Sequence, residues 1–454
     1  MNTLEQLRSG ALAGSRRLAL SCGLTGFPRE IFELADTLEI LDLSDNALSA
    51  LPDDLPRLHR LRIIFCSNNR FTELPAVLGQ CLQLSMIGFR ANQIHTVPAA
   101  ALPPALRWLV LTDNQISELP PGIGHCSQLQ KLMLAGNRLQ ALPPEMAGCT
   151  RLELLRIAAN RLAVLPDWLL RLPRLSWLAF AGNPVSENAA PASGLMTRID
   201  WQSLQLQHPL GEGASGVIHQ AVWLGDAPQP VAVKLFKGAM TSDGLPQNEM
   251  AACISAGAHP NLIAVHGQIH NHPLAASGLV MALVAPRFRS LAGPPSLASC
   301  TRDVYEAGTT FTLDALVRLA RGMASAARQL HERGILHGDL YAHNILYSGE
   351  GEALLGDFGA ASFFAPGDAP LALALQRLEV RAFACLLEEL LAGCSPPADV
   401  PDALEVQKMQ TVQEQQATLQ MLTDLQAACA HSNTAARPLF ADIEQQLARC
   451  RQGR

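Results

Sequence analysis

Leucines recur through residues 38–186 in the order L-x-x-L-x-L-x-x-N-x-L-x-x-L-P, with a period of 23 residues that shortens once to 22. Two copies read "LRWLVLTDNQISELP" (106–120) and "LQKLMLAGNRLQALP" (129–143). The L-x-L core of each copy predicts a short strand with leucines on one side and variable residues on the other. A single unit cannot bury its leucine side, so the units must stack and share a core. Asn46, Asn69, Asn92, Asn114, Asn137, Asn160 and Asn183 form one column. A buried amide there satisfies backbone groups at the turn, so Asn137→Ala should leave polar groups unpaired. The pattern stops after Asn183, and "PVSENAAPASGLMT" (184–197) has no periodicity and predicts a linker. A helical period appears later, in "TLDALVRLARGMASAARQLHERG" (312–334). Leu316, Leu319, Met323 and Leu330 share one face there, Thr312 is the N-cap and Gly334 the stop.

The repeated column resembles a leucine-rich-repeat solenoid. "RRLALSCGLTGFP" (16–28) reads as a degenerate first repeat, preceded by a short capping helix. The variable strand positions then line a concave face: Ile63, Phe65, Met86, Trp108, Val110, Met133, Leu154 and Trp177. Such an apolar stripe predicts a protein partner or substrate, contacted by Phe65, Trp108, Met133 and Trp177. The alternative is that the stripe packs on another part of the chain, or that its side chains lie flat. Cys81, Cys126 and Cys149 each precede a repeat's first leucine by three residues. They read as small buried residues, with Cys126 and Cys149 stacked as neighbours.

From Trp201 the character changes. "SLQLQHPLGEGASGVIHQAVW" reads strand, glycine turn, strand, with Gly211, Gly213 and Gly216 in G-x-G-x-x-G. A dinucleotide fingerprint would have a helix after the glycines, whereas "VIHQAVWL" reads as a strand. Lys234 follows in the β-rich "PVAVKLF", and Glu249 comes fifteen residues later in the helical "PQNEMAACISAG". After the amphipathic helix comes "HGDLYAHNILYSGEGEALLGDFGAAS" (337–362). In it Asp339 and Asn344 are five apart, and Asp357 is 18 beyond Asp339. A carboxylate beside an acceptor hydroxyl, with Asn and Asp as metal ligands, is what phosphoryl transfer needs. The four histidines of "HPNLIAVHGQIHNH" have no cysteine or carboxylate among them and make a poor metal motif.

Residues 201–454 resemble the protein-kinase family, and the whole chain resembles leucine-rich-repeat protein kinases. The motifs stand in family order: glycine loop, strand lysine, helix glutamate, "HPN" turn, catalytic loop, "DFG" and "RLEVRAFACLLEELL". The resemblance implies an α/β and α+β chain: a solenoid over 1–186, a linker over 187–200 and a bilobal catalytic domain over 201–454. It implies ATP between the lobes. Leu210, the three glycines, Val217 and Ala232 would cover the nucleotide, with Leu346 below it and Met281 as gatekeeper. Ala282 and Val284 would pair with the adenine edge through their backbones. Asp339 would act as the base, Lys234 paired with Glu249 would hold the phosphates, and Asn344 and Asp357 would hold Mg²⁺.

The family pattern is broken in four places. Gly338 replaces the arginine of H-R-D, which implies that catalysis is not tied to an activating phosphate. Tyr341 and His343 stand where a basic residue is expected. "AASFFAPGDAPLALALQRL" is short, lacks A-P-E and carries Ser362 as its only hydroxyl residue. Glu379 replaces an aspartate, and Arg437 loses its usual glutamate partner. Three readings stay open: a Ser/Thr-type protein kinase whose repeats recruit its substrate, a pseudokinase scaffold, and a kinase-fold enzyme acting on a small molecule.

Composition narrows the setting. The net charge of -6 gives no basic surface for nucleic acid, and no apolar run is long enough for a membrane span. Eleven scattered cysteines suit free thiols in a reducing compartment. Repeats and catalytic domain, joined by a short linker, would share a cytosol with ATP. The composition is compatible with a bacterial source, and delivery into a host cytosol fits it equally.

Overall fold

The computed structural model describes residues 2–189, 197–213, 215–224, 227–237, 240–241, 243–395 and 405–450. Half of the expected linker, residues 190–196, lies outside the described residues. The chain divides into two compact units. The first comprises Met1–Leu175, Gly182–Val185 and Ser242–Gly244, and the second Ser176–Ala181, Ser186–Thr241 and Leu245–Arg454.

The first unit opens with α1 (Leu4–Arg8). Thr3 Oγ1 accepts from Gln6 N at 3.1 Å and Gln6 Oε1 accepts from Thr3 N at 3.0 Å, a capping box that fixes this short helix. Seven three-residue strands follow: β1 (Arg17–Ala19), β2 (Ile40–Asp42), β3 (Ile63–Phe65), β4 (Met86–Gly88), β5 (Trp108–Val110), β6 (Lys131–Met133) and β7 (Leu154–Arg156). They pair in parallel in chain order, and the central leucine or isoleucine of each strand stacks on the next, as Leu109 does on Leu132. The asparagine column does the expected work. Asn137 Nδ2 donates to the carbonyls of Leu111 and Leu134, both at 2.9 Å, and its Oδ1 accepts from Ile116 N at 3.0 Å. One side chain therefore ties its own turn to the preceding repeat. All eleven cysteines are in the thiol form. Cys81, Cys126 and Cys149 are buried, and burial, reinforced by Cys126, pushes the Cys149 thiol up to about 12.

The expected exposed stripe is corrected by the structure. Ile63, Met86, Met133, Leu154 and Trp177 are buried, and Phe65, Trp108 and Val110 are half-buried. The rings lie along the sheet. Phe65 rests over Gly88, where a Cβ would come within 2.5 Å of its ring, and the Lys131 ammonium sits 4.2 Å from the centre of the Trp108 ring. Arg156 of β7, 2% exposed, donates through Nε to Asp243 Oδ1 at 2.6 Å. That pair joins residues 87 apart in sequence, and repeat periodicity holds no trace of it.

The second unit begins with β8 (Trp177–Ala179) and resumes at Ser186, within α2 (Pro184–Glu187). Its smaller half is a six-stranded sheet in the order β10-β11-β12-β14-β13-β9. The strands are β9 (Arg198–Asp200), β10 (Leu204–Glu212), β11 (Gly216–Trp223), β12 (Gln229–Phe236), β13 (Val265–His270) and β14 (Gly278–Ala282), with α3 (Pro246–Ala256) between β12 and β13. Val231, Val233, Ala221 and Val280 bury one face of this sheet with Ile199, Leu204 and Ile269.

The larger half is mainly helical. It contains β15 (Arg289–Ser290), α4 (Leu313–Glu332), β16 (Ile335–Leu336), β17 (Ile345–Tyr347), β18 (Ala353–Leu355), β19 (Ser362–Phe363), α5 (Ala369–Ala392), α6 (Glu405–Cys429) and α7 (Phe440–Ala448). α4 matches the amphipathic pattern: Thr312 Oγ1 accepts from Ala315 N at 3.2 Å, and Leu316, Leu319, Met323 and Leu330 are fully buried. It packs against α5 and α7, and the chain leaves it through Gly334 at φ +69°.

Candidate active site

Alternation along β12 decides which residues face the nucleotide side. Val231 and Val233 belong to the core, so Ala232 and Lys234 point the other way. Antiparallel partners share a face, which puts Gln220 and Ile218 of β11, and Met281 and Leu279 of β14, with Ala232 and Lys234. Val217 pairs with Leu235, a residue packed on the opposite, core side. The expectation for Val217 is therefore corrected: it lies on the core side, and Ile218, two residues after the third glycine, shares the face of Lys234. Counting alternation back from Lys234 gives the same answer from sequence.

The three glycines differ. A Cβ at Gly211 or Gly213 would meet nothing within 4 Å, whereas one at Gly216 would lie 2.4 Å from the Leu235 carbonyl. Gly216 lets β11 close on β12, and the outer two keep the hairpin bare. Leu210 beside them is exposed. Ala282 N already donates to Ala264 O at 2.9 Å. Val284 and Leu346 are half-buried.

Lys234 Nζ pairs with Glu249 Oε1, and Glu249, on α3, is 2% exposed. Burial works against the Lys234 charge, but Glu249 and then Asp357 outweigh it and hold its pKa above the ordinary lysine value. On the catalytic loop, Asn344 Nδ2 donates to Asp339 Oδ2 at 2.7 Å and to Asp339 O at 2.9 Å. The amide nitrogen is thus committed, and the Asn344 oxygen is the end left for a cation. Asp357 has φ +50°, and its Oδ1 accepts from Gly359 N at 3.1 Å. An amide oxygen and a carboxylate are hard donors, so this pair fits Mg²⁺.

The loop backbone is held from below by Glu379 on α5. Its carboxylate accepts from Gly338 N at 2.6 Å, His337 N at 3.3 Å and His331 Nε2 at 2.7 Å. Full burial would raise its pKa, but the His331 and Gly338 hydrogen bonds prevail and lower it. The longer glutamate thus grips the loop in the aspartate's stead. Gly338 has φ +73°, and a Cβ there would lie 2.6 Å from the carbonyls of both Ala360 and Leu178. No arginine fits at this position.

Asp303 escaped sequence reasoning, because it lies 40 residues upstream in an irregular stretch. Its Oδ1 bonds His343 Nδ1 at 2.7 Å and its Oδ2 accepts from His343 N at 3.0 Å. Burial disfavours the imidazolium, but Asp303, with smaller help from Asp339 and Asp357, raises its pKa above the usual value. Asp303 thus favours the imidazolium form of His343 in a loop that has no Lys or Arg. The sign follows: with a raised folded pKa, the stability from this pair is complete below the unfolded value of about 6.5. It is lost as pH rises through the folded value. Asp303→Asn should shift the His343 titration, followed by NMR, to lower pH. An unmoved midpoint would show that Asp303 is not the cause.

The other departures also have partners. Ser362 is fully buried; its Oγ accepts from Phe180 N at 2.9 Å and donates to Ala360 O at 3.4 Å. Arg437 Nε donates to His431 O at 2.9 Å and another guanidinium nitrogen to Arg377 O at 3.1 Å, while burial lowers its pKa to about 10.

A strand lysine paired with a helix carboxylate, an Asp–Asn loop and a third carboxylate are the groups that phosphoryl transfer needs. Comparison with known proteins agrees. Residues 204–370 match the family "Protein tyrosine and serine/threonine kinase", and residues 37–58 and 127–185 match leucine-rich-repeat families. "Activated Cdc42 kinase-like" of Drosophila melanogaster is 24% identical over 279 residues, covering 55% of this chain and 20% of that protein. A "Probable serine/threonine-protein kinase" of Dictyostelium discoideum is 24% identical over 285 residues, covering 55% and 16%. "Leucine-rich repeat and calponin homology domain-containing protein 1" of Mus musculus is 31% identical over 131 residues, covering 28% and 18%. The chain thus spans about a fifth or less of these relatives' length. Its N-terminal part is thus similar to leucine-rich-repeat proteins and its C-terminal part to protein kinases. Among the described residues, no helix is long and apolar enough to cross a membrane.

Proposed function

We propose that the chain is an ATP- and Mg²⁺-dependent protein kinase acting on Ser/Thr hydroxyls in the cytosol, with repeats that recruit its substrate. The observation that carries this reading is the gathering of Lys234–Glu249, Asp339–Asn344 and Asp357 in one unit, where the Asp357 charge acts on Lys234, Glu249 and His343 alike. A scaffold has no need of that coupling. Asp339, steadied by Asn344, takes the proton of the acceptor hydroxyl as its oxygen bonds to the γ-phosphorus and ADP leaves. Lys234 holds phosphate oxygens, and His343 adds positive charge near the transferred group. Asn344 and Asp357 are the donors for Mg²⁺, which supplies charge neutralisation among the phosphates when bound. The half-exposed Phe65 and Trp108 are the repeat-face residues for a protein partner.

Mass spectrometry of a repeat-captured partner, incubated with the full chain, ATP and Mg²⁺, tests the reading. Phosphoserine or phosphothreonine on that partner supports it. Nucleotide binding without transfer would favour a scaffold, and phosphate found only on a small molecule would favour the third reading.

A further inference from the structure

Trp177 lies in the catalytic unit and meets the catalytic loop. Its indole stacks on the Tyr341 ring, with centroids 4.1 Å apart and planes 8° from parallel. Its Nε1 donates to Leu340 O at 3.1 Å. Along the same strand, the Leu178 carbonyl crowds Gly338 and Phe180 N donates to Ser362 Oγ at 2.9 Å. Phe363 N donates to Ser186 Oγ at 3.1 Å. β8 and Ser186 thus hold two things at once: the loop that carries Asp339 and the segment that follows Asp357.

We propose that Trp177 is a positioning residue for Asp339. The inference rests on the phosphotransfer reading. Asp339 and Leu340 are consecutive, so a bond to the Leu340 carbonyl fixes the peptide plane on the far side of Leu340. The stacked Tyr341 ring fixes the residue after it. Glu379 grips 337–338 from the opposite side. The loop is held between the two, with Asp339 in the middle. Proton acceptance needs that carboxylate placed to within about 0.5 Å. The ordering is built into the chain, because the Ser362 hydroxyl is buried and already bonded to Phe180. No phosphate is needed there.

The test compares wild type, Trp177→Phe and Trp177→Ala in the full chain, by transfer kinetics and by hydrogen exchange of residues 337–344. Trp177→Ala should lower kcat by about 100-fold, the scale of a small misplacement of a reacting group, with KM for ATP nearly unchanged. Trp177→Phe keeps a ring over Tyr341 but loses the Leu340 bond, and should lower kcat by about tenfold. Both should speed exchange in the loop. Should the alanine variant exchange faster throughout the unit, the phenylalanine variant decides: faster exchange confined to the loop supports the proposal, and unchanged exchange overturns it. Wild-type kcat in both variants overturns it as well. A fall expressed in KM for ATP with kcat unchanged assigns Trp177 to nucleotide binding and also overturns it. If the wild-type chain transfers no phosphate, the phosphotransfer reading has failed on its own account, and the exchange result alone decides whether Trp177 orders the loop.

Discussion

Asp357→Asn is expected to cut phosphoryl transfer by at least about 100-fold, the usual scale for losing one electrostatic contact to the reacting group. The fold should not change. Asp357 is exposed, and the amide oxygen of asparagine can accept from Gly359 N as the carboxylate does at 3.1 Å. Its φ of +50° suits asparagine about as well as aspartate. What disappears is one negative charge, which favours the charged forms of Lys234 and His343. The variant should therefore unfold at the wild-type denaturant midpoint, bind Mg²⁺ more weakly and turn over ATP slowly. Wild-type turnover in a well-folded variant would remove Asp357 from the metal site.

Glu379→Ala should act on stability. It strips the acceptor from two buried backbone N–H groups and from His331. Each buried donor left unpaired costs roughly 1–3 kcal/mol, and a broken buried pair about 3–5 kcal/mol, so the catalytic unit should lose about 3–5 kcal/mol in urea unfolding. Glu379→Gln keeps an acceptor oxygen and should lose less. The wild-type contribution has a defined pH range. Because the folded pKa is lowered, it is complete above the unfolded carboxyl value of about 4.3 and is lost as pH falls through the folded value. A loss under about 0.5 kcal/mol in the alanine variant would mean that the loop is held by other contacts.

The sequence by itself determined the repeats, the helix at 312–334 and the order of the catalytic motifs. Each is a local matter. Leucine alternation and the asparagine column depend on one repeat and its neighbour, and α4 on its own period and cap. Lys234, Glu249, Asp339, Asn344 and Asp357 stood out in the sequence because they fall in motif order, and the structure pairs Lys234 with Glu249 and Asn344 with Asp339. Even Val217 against Ile218 could be settled by counting alternation. The tertiary structure decided the rest, because the remaining contacts join residues far apart in sequence. Asp303 reaches His343 across 40 residues and Glu379 reaches Gly338 across 41. Trp177 reaches Leu340 across 163. A tryptophan at a variable strand position looks the same in sequence whether it awaits a partner or stacks on Tyr341. Likewise "HGD" reads as a lost arginine until the Leu178 and Ala360 carbonyls show that only a glycine fits there. Periodicity reports which way a side chain points from its own backbone; what it meets there is decided by the packing of distant segments.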